Sequence, residues 1–329
     1  MGTISLKNKI DEIINLIRKN NKFLITSHVS PDGDNLGSVI ALKLALEQIG
    51  KKAVVIIDDT LPSSFSFLPA IDKINSYEND MKAEFDLCFI LDCSDFKRIG
   101  RVEQLLDDKA VINIDHHGDN PCFGDYNLLG DVAATAELVY QLVSQIEEVK
   151  IDKDIATAIA TGLITDTGSF RYSNTTAQTH QIMSELLTYN VNTAKICKEV
   201  FDTYSQASLK LKGKVLENLE VDDLGKVAWV KVSQDLLKDT GATLEDADGL
   251  VDYPRSLAGV EVGVLFKEVE DKTIRVSLRS NYYFSVDKIA HHFGGGGHQK
   301  AAGCTINDNL TKAEEEVISI IKKELSKVN

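Results

Sequence analysis

The chain has 329 residues, 43% of them hydrophobic, which is material for one large domain or for two domains with separate cores. No segment approaches the roughly 20 uninterrupted apolar residues of a membrane-spanning helix, and no basic-then-apolar leader opens the chain, so a cytoplasmic address without a membrane partner is expected. A formal net charge of −14 argues against a protein that coats long nucleic acid, because such binding needs an excess of Lys and Arg to displace counterions.

Ile10, Ile13, Ile14 and Ile17 recur at helical spacing, so the chain opens with an amphipathic helix. Residues 22–26, 53–57, 86–91 and 110–114 are short β-rich apolar runs, and residues 36–49 between the first two have helical length and an Ala/Leu-rich face. This alternation predicts an α/β fold with a mostly parallel sheet flanked by helices. Val139, Leu142, Val143 and Ile146, then residues 155–163 and 176–189, make the middle of the chain helical. Strand patterns return at 226–232, 260–267 and 273–279, followed by a Gly-rich tract and a closing helix that Thr311 and Glu314 would start as a capping box. The expected division is a first domain over 1–190, a helical linker over 191–212, and a smaller α/β domain over 213–329. Five cysteines at irregular spacing form no C-x-x-C pair, which predicts reduced, mostly core-packed thiols.

The chemistry gathers at strand ends. The first strand runs into His28, Asp32 and Asp34, the third into Asp92, and the fourth into Asp115, His116 and His117. In an open parallel sheet these carboxyl ends share one edge, where ligand sites form. Asp166 closes an apolar helix beside Gly168, which allows a tight turn. Carboxylates crowded in this way repel one another unless a cation sits among them. Two imidazoles and four carboxylates without a thiolate suit hard or borderline divalent ions. Mn²⁺ is the preferred ion, with Mg²⁺ or Co²⁺ as alternatives, and there are enough donors for two ions. A central carboxylate bridging the pair would set the spacing of about 3.5–4 Å used in phosphoryl displacement, with a bridging hydroxide as nucleophile.

The segments His28-x-x-Pro31-Asp32-x-Asp34-x-x-Gly37-Ser38, Asp92, Asp115-His116-His117 and Thr165-Asp166-Thr167-Gly168 resemble the four successive motifs of the DHH phosphoesterase superfamily. The resemblance implies one metal on His28, Asp32 and Asp92 and a second on Asp34, Asp92, His116 and Asp166, with Asp92 as the bridge. Asp115 and His117 would then take catalytic parts, orienting the ligands and steering the substrate. Arg98 and Arg171 follow two of these motifs and are candidates to face the site.

The C-terminal part resembles the DHH-associated substrate-binding domain, through Gly294-Gly295-Gly296-Gly297-His298 with Ala301-Ala302-Gly303 and through Ser277-Leu278-Arg279-Ser280. The resemblance implies substrate contacts from Arg279, Ser280, Gly295, Gly296, Gly297 and His298. Arg279 offers a forked, charge-assisted contact to phosphate, and glycines let backbone amides approach a ligand closely. Arg255 recurs in the same branch, with no physical account of its role. That branch acts as nano-RNase and 3'-phosphoadenosine 5'-phosphate phosphatase, implying short oligoribonucleotides, linear dinucleotides such as pApA and phosphoadenosine phosphate as partners. Long duplexes are not expected, and a homodimer is compatible with the sequence. The competing readings are a cyclic-dinucleotide phosphodiesterase, a RecJ-like single-strand exonuclease and a non-catalytic nucleotide-binding protein.

Overall fold

A computed structural model describes residues 6–327, apart from the side chain of His298, and the chain divides into two compact units between Thr203 and Tyr204. The first unit opens with helix α1 (Leu6–Lys19), which buries Ile10, Ile13, Ile14 and Ile17 as their spacing predicts. Each such side chain contributes about 1.5–3 kcal/mol on leaving water. Six strands follow: β1 (Lys22–Ser27), β2 (Lys52–Ile57), β3 (Ile74–Ser76), β4 (Leu87–Leu91), β5 (Val111–Asp115) and β6 (Tyr126–Leu129). They lie in the order β3-β2-β1-β4-β5-β6, and every pairing is parallel.

Both faces of this sheet are covered, so its central strands read as unbroken apolar runs rather than alternating ones. Phe23, Ile25, Phe89 and Ile112 enter the larger core, whereas Leu24, Ile56, Cys88 and Ile90 point into a second core behind it. Strand order reverses between β1 and β4, and ligand crevices open at such a switch point, beyond the carboxyl ends of the strands.

The larger core is closed by α2 (Gly33–Gln48), α3 (Thr135–Val143), α4 (Lys153–Asp166), α5 (Ala177–Leu187) and α6 (Thr193–Phe201). Helix α2 is buried on nearly every side, unlike the one-faced helix that its Ala/Leu pattern predicts, because α4 packs on the flank turned away from the sheet. The approach is close: a Cβ on Gly37 would lie 2.4 Å from the carbonyl oxygen of Ala158. Strands β3 and β6 carry no sequence signal, being three and four residues long and mostly half-exposed or exposed.

The second unit comprises α7 (Gln206–Glu217), β7 (Glu220–Val221), β8 (Val227–Val232), α8 (Gln234–Thr240), α9 (Asp252–Ser256), β9 (Val262–Glu270), β10 (Thr273–Ser280), α10 (Val286–His292), β11 (Gly296–His298), β12 (Ala301–Ile306) and α11 (Leu310–Leu325). Its sheet runs β11-β12-β10-β9-β8-β7, with β8 and β9 parallel and the other pairings antiparallel. Helix α11 does not begin with the expected capping box. Asn309 is its N-cap, accepting from the Lys312 amide, while Glu314 accepts from Trp229 Nε1 and Lys231 Nζ, both at 2.7 Å. The Asn309 side chain is a better-placed acceptor than Thr311, which already lies inside the first helical turn. Among the described residues all five cysteines are free, and three of them are buried. Among the described residues no helix is long and apolar enough to cross a membrane.

Replacing Gly37 by Ala should cost about 1–3 kcal/mol, because the backbone of Ala158 cannot retreat without moving α4 away from α2. Urea unfolding of the variant checks this; an unchanged midpoint would show that the helix contact is slack.

Candidate metal centre

Three strands of the first sheet deliver side chains to the switch point. His28 follows β1, Asp92 follows β4, and Asp115, His116 and His117 close β5 and begin the turn after it. Asp32 and Asp34 stand at the start of α2, and Asp166 is the last residue of α4. Three sets of ligand atoms result, each within 4.8 Å of one another: His28, Asp32 and Asp92; Asp34, His116 and Asp166; and Asp92, His116 and His117. Asp92 belongs to two of them. Its carboxylate lies 3.5 Å from His28 Nε2 and 3.8 Å from His116 Nε2, and His116 Nε2 lies 3.6 Å from Asp166.

Local structure fixes each donor. Asp32 caps α2 by accepting from the amides of Asp34 and Asn35, which spends one carboxylate oxygen and leaves the other directed at the site. Asp34 is held from a distance in sequence: the first amides of α3, those of Thr135 and Ala136, donate to its two oxygens at 2.6 and 2.9 Å. The N-cap of α3, Ala134, has no capping side chain, so Asp34 takes that part and gains from the positive helix end. Thr135 Oγ1 also donates to Asp92 at 3.0 Å. Asp92 itself adopts a left-handed backbone with φ 53°, a conformation that Asp tolerates better than most residues and that re-aims the chain at the strand end.

The histidine tautomers follow from their neighbours. His28 Nδ1 lies 2.7 Å from the carbonyl oxygen of Val29, so it donates there and presents the Nε2 lone pair. His117 is set differently. Its Nδ1 donates to Asp115 at 2.6 Å, and the other Asp115 oxygen accepts from Asn120 at 2.6 Å. Asn120 is held in turn by Asn113, which also bonds the carbonyls of Ile90 and Cys93. Asn113, Asn120 and Thr135 carry no motif of their own; they were not foreseen because each acts through a neighbour that is local only in the folded chain.

The electrostatics call for a cation. Burial, and then the charges of Asp92, Asp166 and Asp32, hold the Asp34 carboxyl well above its usual range. Burial raises Asp166 to about 7, with Asp92 adding to the effect and His116 opposing it. Burial raises Asp92 in the same sense, but His28, His116 and His117 outweigh it and hold Asp92 below the usual range. Burial lowers His28 and His117, but bonds to Asp92 and Asp115 prevail, raising His28 and bringing His117 to about 9. Oxygen and imidazole donors of this kind, crowded and short of positive charge, fit divalent cations.

The other expected residues are placed as follows. Arg98 is exposed, and its carbonyl accepts from the Val29 amide at 2.8 Å. Arg171 Nε donates to the carbonyl of Gly168, tying down its own turn. In the second unit Arg279 sits on β10 opposite Gly263 and Ala301 and bonds its neighbour Leu278 O through Nη1. Ser280 is buried and donates to the carbonyl of Phe284 at 2.7 Å, so its hydroxyl orders a loop. The glycine run is an ordered edge hairpin. A Cβ at Gly295 would meet the carbonyl oxygen of Gly303 at 2.2 Å, and Gly297 has φ 136°. The His298 side chain lies outside the described residues. Arg255 pairs with Asp252 at 3.0 Å, and its backbone packs on Gly263.

Fold and site together define an α/β domain with a carboxylate and imidazole cluster suited to divalent cations, and the comparisons identify its family. Residues 22–163 match the DHH family, N-terminal domain, and residues 225–327 match the DHHA1 domain. The bifunctional oligoribonuclease and PAP phosphatase NrnA of Thermus thermophilus is 34% identical, covering 92% of this chain and 90% of its own. The probable bifunctional oligoribonuclease and PAP phosphatase NrnA of Streptococcus mutans is 30% identical, covering 93% and 95%. An exopolyphosphatase-related protein from Bacteroides fragilis has a similar structure, with a TM-score of 0.89 and 28% identity over 99% of this chain and 98% of that one. The chain belongs to the DHH family.

The shifted groups set a pH dependence for the metal-free protein. Asp166 keeps its proton in the fold at pH values where an unfolded carboxyl, with an ordinary pKa of 3.8, has lost it, so its contribution to stability falls as pH rises through about 7, and Asp34, raised by burial, acts in the same sense. His28 and His117 act in the same sense, their contribution being present below 6.5 and, for His117, lost as pH rises through about 9. Asp92, shifted the other way, contributes fully and constantly above 3.8. In chelator the melting temperature should therefore fall between about pH 5.5 and pH 9, and saturating Mn²⁺ should suppress the fall. A flat profile in chelator would mean that these groups are not crowded in solution.

Proposed function

We propose that this chain is a divalent-metal-dependent phosphoesterase that hydrolyses short oligoribonucleotides and linear dinucleotides to mononucleotides, and 3'-phosphoadenosine 5'-phosphate to AMP. The likeness to enzymes named for both activities, over nearly the whole of each chain, carries the substrate reading. The convergence of His28, Asp32, Asp34, Asp92, His116 and Asp166 supports the metal dependence. His28, Asp32 and Asp92 would hold one ion, and Asp34, Asp92, His116 and Asp166 a second, Mn²⁺ being the best match to the donors. Bound there, the pair would supply Lewis-acid polarisation of phosphate and a water activated for hydrolysis.

The chain's own groups do the rest. Asp92 would offset part of the positive charge of bound cations, and its carboxylate is held by Thr135 Oγ1. His116 is preferred to His117 as a ligand because its Nε2 faces both Asp92 and Asp166, whereas His117 Nδ1 is engaged by Asp115. As the imidazolium, which the bond to Asp115 favours, His117 can donate from Nε2 to a phosphate or leaving oxygen, in the orientation that Asp115 and Asn120 impose. In the second unit Arg279 and the backbone of the Gly295, Gly296 and Gly297 hairpin are the proposed substrate contacts. Net charge of −14 favours short substrates, since a long strand would need a basic path.

Asp92→Ala should lower turnover by more than the 10–100-fold typical of outer-shell losses and reduce bound Mn²⁺ measured by mass spectrometry. A variant that stays fully loaded and active would refute the bridging role. With Mn²⁺, product release from a labelled di- or trinucleotide should exceed that from long single strands and stop in chelator. Activity that rises with strand length would favour the exonuclease reading, and binding without cleavage in Mn²⁺ would favour a sensor.

A further inference from the structure

The segment between β10 and α10 is built to hold two aromatic rings in solvent. Tyr282 is 80% exposed and Tyr283 46%, and Tyr282 is the most exposed large apolar side chain among the described residues. The backbone beneath them is fixed. Glu261, itself 2% exposed, accepts from the consecutive amides of Tyr282, Tyr283 and Phe284, the last two at 2.8 Å. Asn281 Nδ2 donates to the carbonyls of Arg255 and Val260, both at 2.9 Å, and Ser280 Oγ donates to the carbonyl of Phe284. Phe284 is buried in the core between the sheet and α11, anchoring the far end.

The same loop is tied to the glycine hairpin. Lys300 Nζ donates to the Tyr282 carbonyl at 2.6 Å, the Ser280 amide donates to Lys300 O, and the Val286 amide donates to Gln299 O. Tyr282 therefore stands at the rim of the substrate-facing elements, three residues after Arg279 and next to Lys300. A buried carboxylate used only to fix three amides is a costly way to display hydrophobic surface unless the display has a use. An exposed aromatic ring on a fixed backbone suits a planar group, since every base has a π-face and a pre-ordered loop loses little entropy on stacking.

We propose that Tyr282, with Tyr283 beside it, is a stacking platform for one nucleobase of the substrate; this rests on the proposed nucleotide-hydrolysing function and names how a base is recognised. Glu261 is a positioning residue for the platform. In this account the second unit distinguishes a true nucleotide from a base-free phosphoester through Tyr282, whereas Arg279 and the hairpin hold phosphate.

The test uses the full chain with Mn²⁺, a 5'-phosphorylated diadenylate, and its two analogues lacking one base or the other. Tyr282→Ala should raise KM for the intact dinucleotide by between about 5- and 150-fold, the range that one stacked base is worth, and Tyr282→Phe should restore it. On the analogue that lacks the stacked base, the Tyr282→Ala substitution should have no effect. A second readout needs no turnover. In chelator, a dinucleotide carrying 2-aminopurine should be quenched by the wild-type and Tyr282→Phe chains and not by Tyr282→Ala. An unchanged KM in an enzyme that cleaves the dinucleotide, an equal loss on both abasic analogues, or a fall in oligomer mass without a change in KM would each overturn the platform. If the wild type cleaves no dinucleotide, the functional reading fails instead, and the quenching experiment still decides whether the ring binds a base.

Discussion

Four carboxylates and two imidazoles pressed together at one edge of a sheet repel one another as the acids ionise, and the first unit is arranged around that repulsion. Asp34 and Asp92 are almost completely buried, where unpaired charge is expensive. The fold offsets part of the cost with its own dipoles: two amides at the start of α3 on Asp34, two at the start of α2 on Asp32, and the Thr135 hydroxyl on Asp92. Neutral dipoles cannot balance the whole charge. The remainder is the driving force for taking up cations, and it turns metal binding into stability.

The parallel sheet makes this crowding feasible. Strands β1, β4 and β5 are neighbours, so residues separated by 64 and 23 positions (28 to 92, and 92 to 115) leave the sheet side by side. The close packing of α2 on α4 brings Asp34 and Asp166 to the same place; a Cβ on Gly162 would sit 2.7 Å from Asp34 Oδ1. Asn113 and Asn120 extend the arrangement backwards by clamping Asp115, so that His117 keeps one orientation.

Much of this could be read from the sequence, for a physical reason in each case. Strands buried on both faces leave continuous apolar runs, and the acidic and imidazole residues just after them share an edge by geometry alone. Short or half-exposed elements such as β3 and β6 leave no such trace. Thr135 and Asn120 look like ordinary polar residues because their partners lie 43 and 5 positions away, joined only by the fold. The start of α11 was misread because Thr311 and Glu314 have capping-box spacing, whereas Asn309 is the better acceptor and Glu314 is drawn to Trp229 and Lys231. Ser280 sits beside Arg279 in the motif, but strand alternation turns it into the core.

The second unit follows a complementary rule: the parts proposed to face a ligand are fixed backbone rather than crowded charge. Glycines on β11 fit against β12 where side chains would clash, and Glu261 fixes the neighbouring tyrosine loop. The central claim remains the cation pair around Asp92. Anomalous diffraction from crystals grown with Mn²⁺ tests it most directly. The account expects two peaks about 3.5–4 Å apart with the Asp92 carboxylate between them; a single peak away from Asp92, or none, would contradict it.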